Sequence, residues 1–280
     1  MELYVFFAVL FGAACHAGWN ALLKIRLEPF SAMALVAIGS LVMALPIAPF
    51  VGIPAAAAWP WIVASVVLHI GYYIGLSEAY RAGDMGQVYP IARGSAPLMT
   101  ATVITLLLGE ALGAVRWVGI LVLAGGVFLM SFRGGRDIAT IDRRAVYFAL
   151  FTAVTICGYS VVDGTGARAA GNPHAYAVAL FVCDGIVMIV LAYLRRGPDV
   201  FPAMARSWRA GMIGGTLSLA AYWIAIWAMT VAPIALVAAL RESSVLFAAV
   251  IAVVMLKEPL RATRIAAALM IVAGLALIKL

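Results

Sequence analysis

Apolar runs about as long as a bilayer is thick follow one another along almost the whole chain, and no other feature restricts its fold so tightly. A spanning helix needs about 20 mainly apolar residues. The runs predict helices at residues 3–23, 30–50, 59–81, 87–108, 114–132, 145–166, 174–194, 208–230, 234–256 and 262–279. Charged or Gly/Pro-containing turns separate them. Ten such helices use most of the 280 residues and leave only short loops, with no room for a soluble domain. Backbone polar groups cannot be left unpaired in hydrocarbon, so a helix is the economical form for each run. A β-barrel would show roughly ten-residue alternating segments in place of these continuous stretches.

Composition leads to the same fold class. Hydrophobic residues make up 66% of the chain and charged residues 11%, with a mean hydropathy of +1.09. A soluble domain is about half apolar and about a quarter charged. A soluble enzyme, a nucleic-acid binder, a disordered chain and a disulfide-rich secreted module are therefore excluded as readings. The first residues, Met1-Glu2-Leu3-Tyr4, lack the basic start of a cleavable signal peptide. Cys15, Cys157 and Cys183 all fall within spans and read as small apolar packing residues.

The second half repeats the first. A shift of 148 carries Arg93 onto Arg241, Ser95 onto Ser243, Leu98 onto Leu246, Glu110 onto Glu258, Leu112 onto Leu260, Arg116 onto Arg264 and Gly126 onto Gly274. A shift of 140 relates the first and sixth spans through Leu10/Leu150, Phe11/Phe151, Ala13/Ala153 and Gly18/Gly158. A shift of 145 relates the second and seventh through Ala34/Ala179, Leu35/Leu180, Val42/Val187 and Met43/Met188. Matches between apolar stretches are cheap, but a shared intramembrane arginine is not, because such residues are rare. The expected division is a first repeat over 1–132, a linker over 133–144 and a second repeat over 145–280. Five helices is an odd number, so the second copy enters the membrane from the opposite side. The expected architecture is all-α, ten transmembrane helices in two inverted five-helix repeats, which supports alternating access with a site near the midplane.

The Gly109-Glu110 and Lys257-Glu258 turns, each before a Gly-containing final helix, carry a resemblance. So do the Pro-containing fourth span around Ser95-Ala96-Pro97 and the Trp19-Asn20 pair late in the first. With the ten-helix, two-repeat pattern, the chain resembles the drug/metabolite transporter superfamily, specifically its EamA type, over essentially its whole length. The resemblance implies a transporter that exports amino acids, other metabolites or drugs, by proton-linked or facilitated transport. A protein like the aromatic amino acid exporters is one such possibility.

The formal net charge of +7 is explained by loops and not by a nucleic-acid partner. Of the 19 Lys and Arg, fourteen fall on the side opposite the N-terminus and three, Arg116, Arg168 and Lys279, on the N-terminal side. Arg93 and Arg241 lie inside spans. The positive-inside rule then sets both termini outside a bacterial-type inner membrane. The family resemblance implies the reverse, since its members commonly keep both termini in the cytoplasm.

Ionisable groups inside spans are costly, and each is a site candidate. Arg93 and Arg241 lie about 9 Å into their helices at about 1.5 Å per residue. Inversion sets them at opposite depths. Glu78 is the expected partner of Arg93, and Asp163 and Glu242 those of Arg241. Each set reads either as a structural ion pair or as a gate or carboxylate-binding group. Tyr89 and Ser243 flank the two arginines and join the candidates. Asp184, close to mid-membrane, is a candidate proton or cation site or a hydrogen-bonded packing residue. His16, Trp19 and Asn20 share one helix face, His69 and Tyr73 another, and Trp223 and Trp227 a third. Facing inward, these would line an aromatic cavity; ordinary packing is the competing reading for each. Gly71-x3-Gly75 and Gly211-x3-Gly215 read as close-packing seams. Pro97 removes a helical hydrogen bond and predicts a kink.

No HExxH, GxSxG or paired-Glu motif is present, so no catalytic residue, metal or cofactor is expected. The expected partners are a small-molecule substrate and the lipid bilayer, with protons as a candidate coupling ion. Export of small polar metabolites, hydrophobic or aromatic amino acids first among them, is the leading reading. Uptake, drug export, lipid scrambling and, remotely, intramembrane enzyme chemistry remain open.

Overall fold

The structure is a computed structural model, and it describes residues 1–22, 27–83, 85–130, 142–254, 257 and 261–280. The linker stretch 131–141, the basic residues Lys24, Arg26, Arg133 and Arg136, and Glu258 lie outside the described residues.

Among the described residues every regular element is helical. The chain runs α1 (Leu3–Leu22), α2 (Pro29–Ala44), α3 (Ala48–Val51), a 3-10 turn (Ala56–Ala58), α4 (Trp59–Ala82), α5 (Met85–Leu107) and α6 (Ala114–Met130). It continues with α7 (Arg143–Ala169), α8 (Pro173–Arg196), α9 (Val200–Ala205), α10 (Trp208–Val231), α11 (Ile234–Arg241), α12 (Ser244–Val254) and α13 (Ala262–Lys279). Seven segments are long and apolar enough to cross a membrane, with α11 and α12 counted together as one; α2 and α6 are shorter apolar helices. With α5, these occupy the ten predicted positions.

Local chemistry sets many of the ends. Glu28 accepts from the Ser31 amide and precedes Pro29, and Asn172 accepts from the His174 amide and precedes Pro173. An oxygen side chain at the N-cap followed by a first-turn proline satisfies the amides a helix start leaves open. Gly197, at φ 71°, closes α8 in a conformation that other residues rarely adopt. Two predicted helices differ from the runs that suggested them. The second span ends at Ala44, before Pro46, and the chain resumes as the single turn α3. The ninth is interrupted at Glu242-Ser243 and splits into α11 and α12. Hydropathy alone does not report either break, because the flanking residues stay apolar.

The helices pair in sets: α4 with α7 and α1 with α10, α5 with α7 and α1 with α12, α2 with α8, α5 with α11, and α6 with α13. Small residues permit the closest approaches. A Cβ on Gly215 would stand 2.3 Å from the Gly39 carbonyl carbon, and Ser40 donates to the Gly215 carbonyl at 3.0 Å across the same α2–α10 crossing. Gly71 and Gly75 seat α4 on Thr155, Thr152 and Phe151 of α7. Both predicted seams are therefore contact faces, although with different partner helices. In the α6–α13 seam, Gly274 meets Gly119 and Leu123, while Gly126 meets Ala267 and Ile271.

Candidate functional site

The helix faces fixed by these seams enclose a cavity. On α10, Gly211, Gly215, Ser218 and Tyr222 fall within about 60° of one another at about 3.6 residues per turn, so the face that packs on α2 also carries Ser218 and Tyr222 inward. Trp223 and Trp227 lie roughly 120–160° around the helix. The cavity is lined by His16 and Trp19 from α1, Met33 and Val36 from α2, His69, Tyr72 and Tyr73 from α4, and Tyr159 from α7. Leu180, Phe181 and Asp184 from α8, Ser218 and Tyr222 from α10, and Arg241 at the end of α11 complete it. Its free volume is about 50 Å³, room for a few water-sized groups at about 10–15 Å³ each. The side chains of this conformation nearly fill their own site.

Aromatic rings form the walls. His69 stacks on Tyr159 with centroids 4.5 Å apart, and Tyr222 meets Tyr159 edge-on at 5.6 Å. Such stacked and edge-to-face arrangements are the favourable ones for ring quadrupoles. The Arg241 guanidinium lies 4.5 Å from the centroid of Tyr222 and 5.9 Å from that of Tyr159. These are cation–π contacts in a desolvated place. Among the described residues, no carboxylate lies within 4 Å of Arg241.

The polar groups are held by specific partners. Asp163 is fully buried and accepts from Tyr176 at 2.9 Å and from Tyr222 in a very short contact. Asp184 accepts from Tyr73 at 2.7 Å, and its Oδ1 is buried without a hydrogen-bond partner among the described residues. Trp19 donates to His16 Nδ1 at 3.2 Å. An indole nitrogen can only donate, so a neutral His16 carries its proton on Nε2. That Nε2 is also buried and has no such partner. His69 Nδ1 contacts the Ser65 carbonyl at 2.9 Å.

Arg93 is 1% exposed in α5 and lies 3.1 Å from Glu242, which is 2% exposed. Its Nη2 donates to Ser244 at 3.3 Å, and its guanidinium is 5.6 Å from the Tyr89 ring. This corrects two expected pairings. Glu78 serves instead as a mostly shielded hub for Arg81 at 3.1 Å, Arg144 at 3.2 Å and Arg195 at 3.9 Å, at the end of α4. Glu242 serves Arg93, not Arg241, because the break after Arg241 turns consecutive side chains in different directions. The same contact brings the two arginines' helices together: α5 and α11 pack, and the residue after Arg241 touches Arg93. Asp163 reaches Arg241 only through Tyr222.

Of the other expected lining residues, Asn20 turns back to donate to the His16 carbonyl at 2.9 Å. Trp223 donates to His174 at 2.8 Å and Trp227 lies against Tyr4, away from the cavity. Ser243 is buried at the helix break. Sequence reading missed Tyr72, Tyr159, Phe181, Ser218 and Tyr222. For the last two the signal was present: they continue the Gly211-x3-Gly215 stripe. For Tyr159 and Phe181 the signal was present as well: Tyr159 is one turn from Asp163, and Phe181 lies three residues before Asp184 on the same helix face.

At the far end of the bundle, Arg168 pairs with Glu110 at 2.5 Å and donates to the Met229 and Ala232 carbonyls. Glu110 in turn accepts from the Ile234 amide at 3.2 Å. One ion pair thus straps the α5–α6 turn to the start of α11.

A bundle of apolar helices around a polar and aromatic cavity suits a multi-pass membrane protein. The EamA-like transporter family model matches residues 3–132 and again 144–280, and the chain belongs to that family. A solved crystal structure with 20% sequence identity superposes with a TM-score of 0.79, covering 98% of this chain and 94% of the other, which establishes a shared fold. No curated protein matches the sequence.

Proposed function

We propose that the chain is an inner-membrane secondary transporter that exports small polar metabolites, hydrophobic or aromatic amino acids foremost, by alternating access between two inverted five-helix repeats. The observation that carries this reading is Arg241, a buried guanidinium in the cavity whose charge no carboxylate within 4 Å offsets. A desolvated cation of this kind favours an anionic group on the solute. The solute's carboxylate takes Arg241, with His16 Nε2–H as a second donor. Its ammonium takes the free oxygen of Asp184. The rings of Tyr159, Tyr222, Phe181 and Trp19 enclose the apolar part.

The two-repeat reading draws support from the α6–α13 seam. The shift of 148 carries Gly119, Leu123 and Gly126 onto Ala267, Ile271 and Gly274, so the contact of Gly274 with Gly119 and Leu123 becomes that of Gly126 with Ala267 and Ile271. A contact that maps onto itself is the mark of a two-fold relation. The α4–α7 and α1–α10 pairings exchange in the same way.

Proteoliposomes loaded with labelled amino acids, with and without a pH gradient and with and without the same unlabelled amino acid outside, test the reading. Efflux of at least one hydrophobic or aromatic amino acid is expected, faster with the gradient if protons couple. An absence of flux for every amino acid refutes the substrate assignment. A C-terminal reporter that is active only in the cytoplasm should stay dark if the termini face outward.

A further inference from the structure

Under the two-repeat reading above, each contact across the halves has an image in the opposite-facing state. The Arg93–Glu242 pair has none. The shift of 148 carries Arg93 onto Arg241 and Gly94 onto Glu242, so its image is Arg241 beside Gly94, which offers no carboxylate. We infer that Arg93–Glu242 is a one-sided lock, and that Arg93 is a second anion-binding residue which takes over the solute's anionic group when the lock opens.

Four observations carry the inference. First, the two arginines have alike surroundings: each guanidinium lies against a tyrosine ring, Tyr89 for Arg93 and Tyr222 for Arg241. Second, they differ in one respect, since Glu242 occupies Arg93 and, among the described residues, no carboxylate lies within 4 Å of Arg241. Glu242 stands at Arg93 where a solute carboxylate would stand at Arg241. Third, the halves differ in helix continuity at matching positions. The second-half helix is broken just after Arg241, between α11 and α12, whereas α5 runs unbroken through Arg93. Fourth, α5 is prepared to break there. Pro97 lacks the amide that would bond the Arg93 carbonyl four residues back, so this turn already holds one hydrogen bond fewer. Exchanging the conformations of the halves would break α5 beside Arg93 and straighten α11 into α12.

The electrostatics give the lock a direction. A buried guanidinium or carboxylate separated from its partner is strongly unfavourable. The empty protein therefore stays in the present state, with Arg93 and Glu242 paired. A solute carrying both an anionic group and an ammonium gives the first to Arg93 and the second to Glu242, so neither buried charge is left alone and the barrier to the other state falls. The protein would then reorient loaded far more readily than empty, which is the behaviour of an exchanger.

The test needs no solute. In a background with Cys15, Cys157 and Cys183 replaced by Ala, spin labels are placed through Ala57→Cys and Ala111→Cys. Both positions are exposed at the end that carries the Arg168–Glu110 strap. Distance distributions are then read by double electron–electron resonance in nanodiscs. One short separation should dominate in the background protein. In the double variant Arg93→Met/Glu242→Gln, which leaves neither charge buried alone, a longer separation should grow at least about tenfold in population, about what breaking a moderate coupling yields. If the double variant gives the background distribution, the pair is purely structural and the lock is refuted. Adding L-phenylalanine to the background protein tests the substrate reading separately. No response to it, together with a shifted double variant, would reject the amino acid and leave the lock standing.

Discussion

The guanidinium of Arg241 lies over the ring of Tyr222, and the hydroxyl of that same tyrosine donates to Asp163. One side chain thus joins the cavity's cation to a buried carboxylate 78 residues earlier in the chain. Tyr222→Phe keeps the ring under Arg241 and removes only the donor. Asp163 then loses one of its two tyrosine partners. The expected result is a loss of about 1–3 kcal/mol, the usual effect of an unmet buried polar group, seen as a lower Tm in detergent. An unchanged Tm would show that this hydroxyl contributes nothing.

Arg241→Lys keeps the charge and gives up the planar fork that grips a carboxylate in two places. Solute affinity should fall at least about tenfold, since a charge-assisted hydrogen bond contributes about 1.5–3 kcal/mol. Equilibrium binding of radiolabelled L-phenylalanine to purified protein measures it. Equal affinity in the lysine variant would remove Arg241 from the site.

The two tryptophans of α10 should be dispensable to the cavity. Trp223→Phe and Trp227→Phe change a surface that faces His174 and Tyr4, so the dissociation constant should move less than about twofold. Tyr159→Ala removes the ring that stacks on His69 and lies near Arg241. It should weaken binding at least about tenfold, given about 0.5–1.5 kcal/mol for the ring pair and a similar cation–π contribution. If the tryptophan variants lose more affinity than the tyrosine variant, the assigned inward face of α10 is wrong.

At the α2–α10 crossing, Gly215→Ala puts a methyl 2.3 Å from the backbone of Gly39. Backbone cannot swing aside as a side chain can, so the helices must separate. The expected loss is about 1–3 kcal/mol or more, read as reduced yield and Tm. Gly113→Ala is the control, because nothing lies within 4 Å of its new Cβ. It should stay within about 0.5 kcal/mol of the parent.

How much of this was legible in the sequence follows from what each signal measures. Hydropathy counts apolar length, so it located the helical segments, seven of them long and apolar enough to cross a membrane. It is blind to a local turn between apolar stretches, and it missed the break at Glu242-Ser243. Rarity of intramembrane charge singled out Arg93, Arg241, Asp163, Asp184 and Glu242, all of which are buried. Pairing among them was not legible. Depth along a helix says nothing of the direction a side chain takes at a break, and so Glu242 was assigned to its neighbour in sequence. Trp223 and Trp227 take the packing alternative, away from the cavity. Both indoles are amphipathic and suit the membrane interface as well as a cavity. The glycine stripe on the same helix was the better compass.

The seam between α6 and α13 has a consequence for ancestry. Gly126 on Ala267 and Ile271 repeats Gly274 on Gly119 and Leu123. On the two-repeat reading, one surface meets a copy of itself. Two separate molecules of an ancestral half-length protein, lying antiparallel in a membrane, could have met through this same surface. The final helices of the two halves would then preserve, inside one polypeptide, the subunit contact of a homodimer older than the gene fusion that joined them.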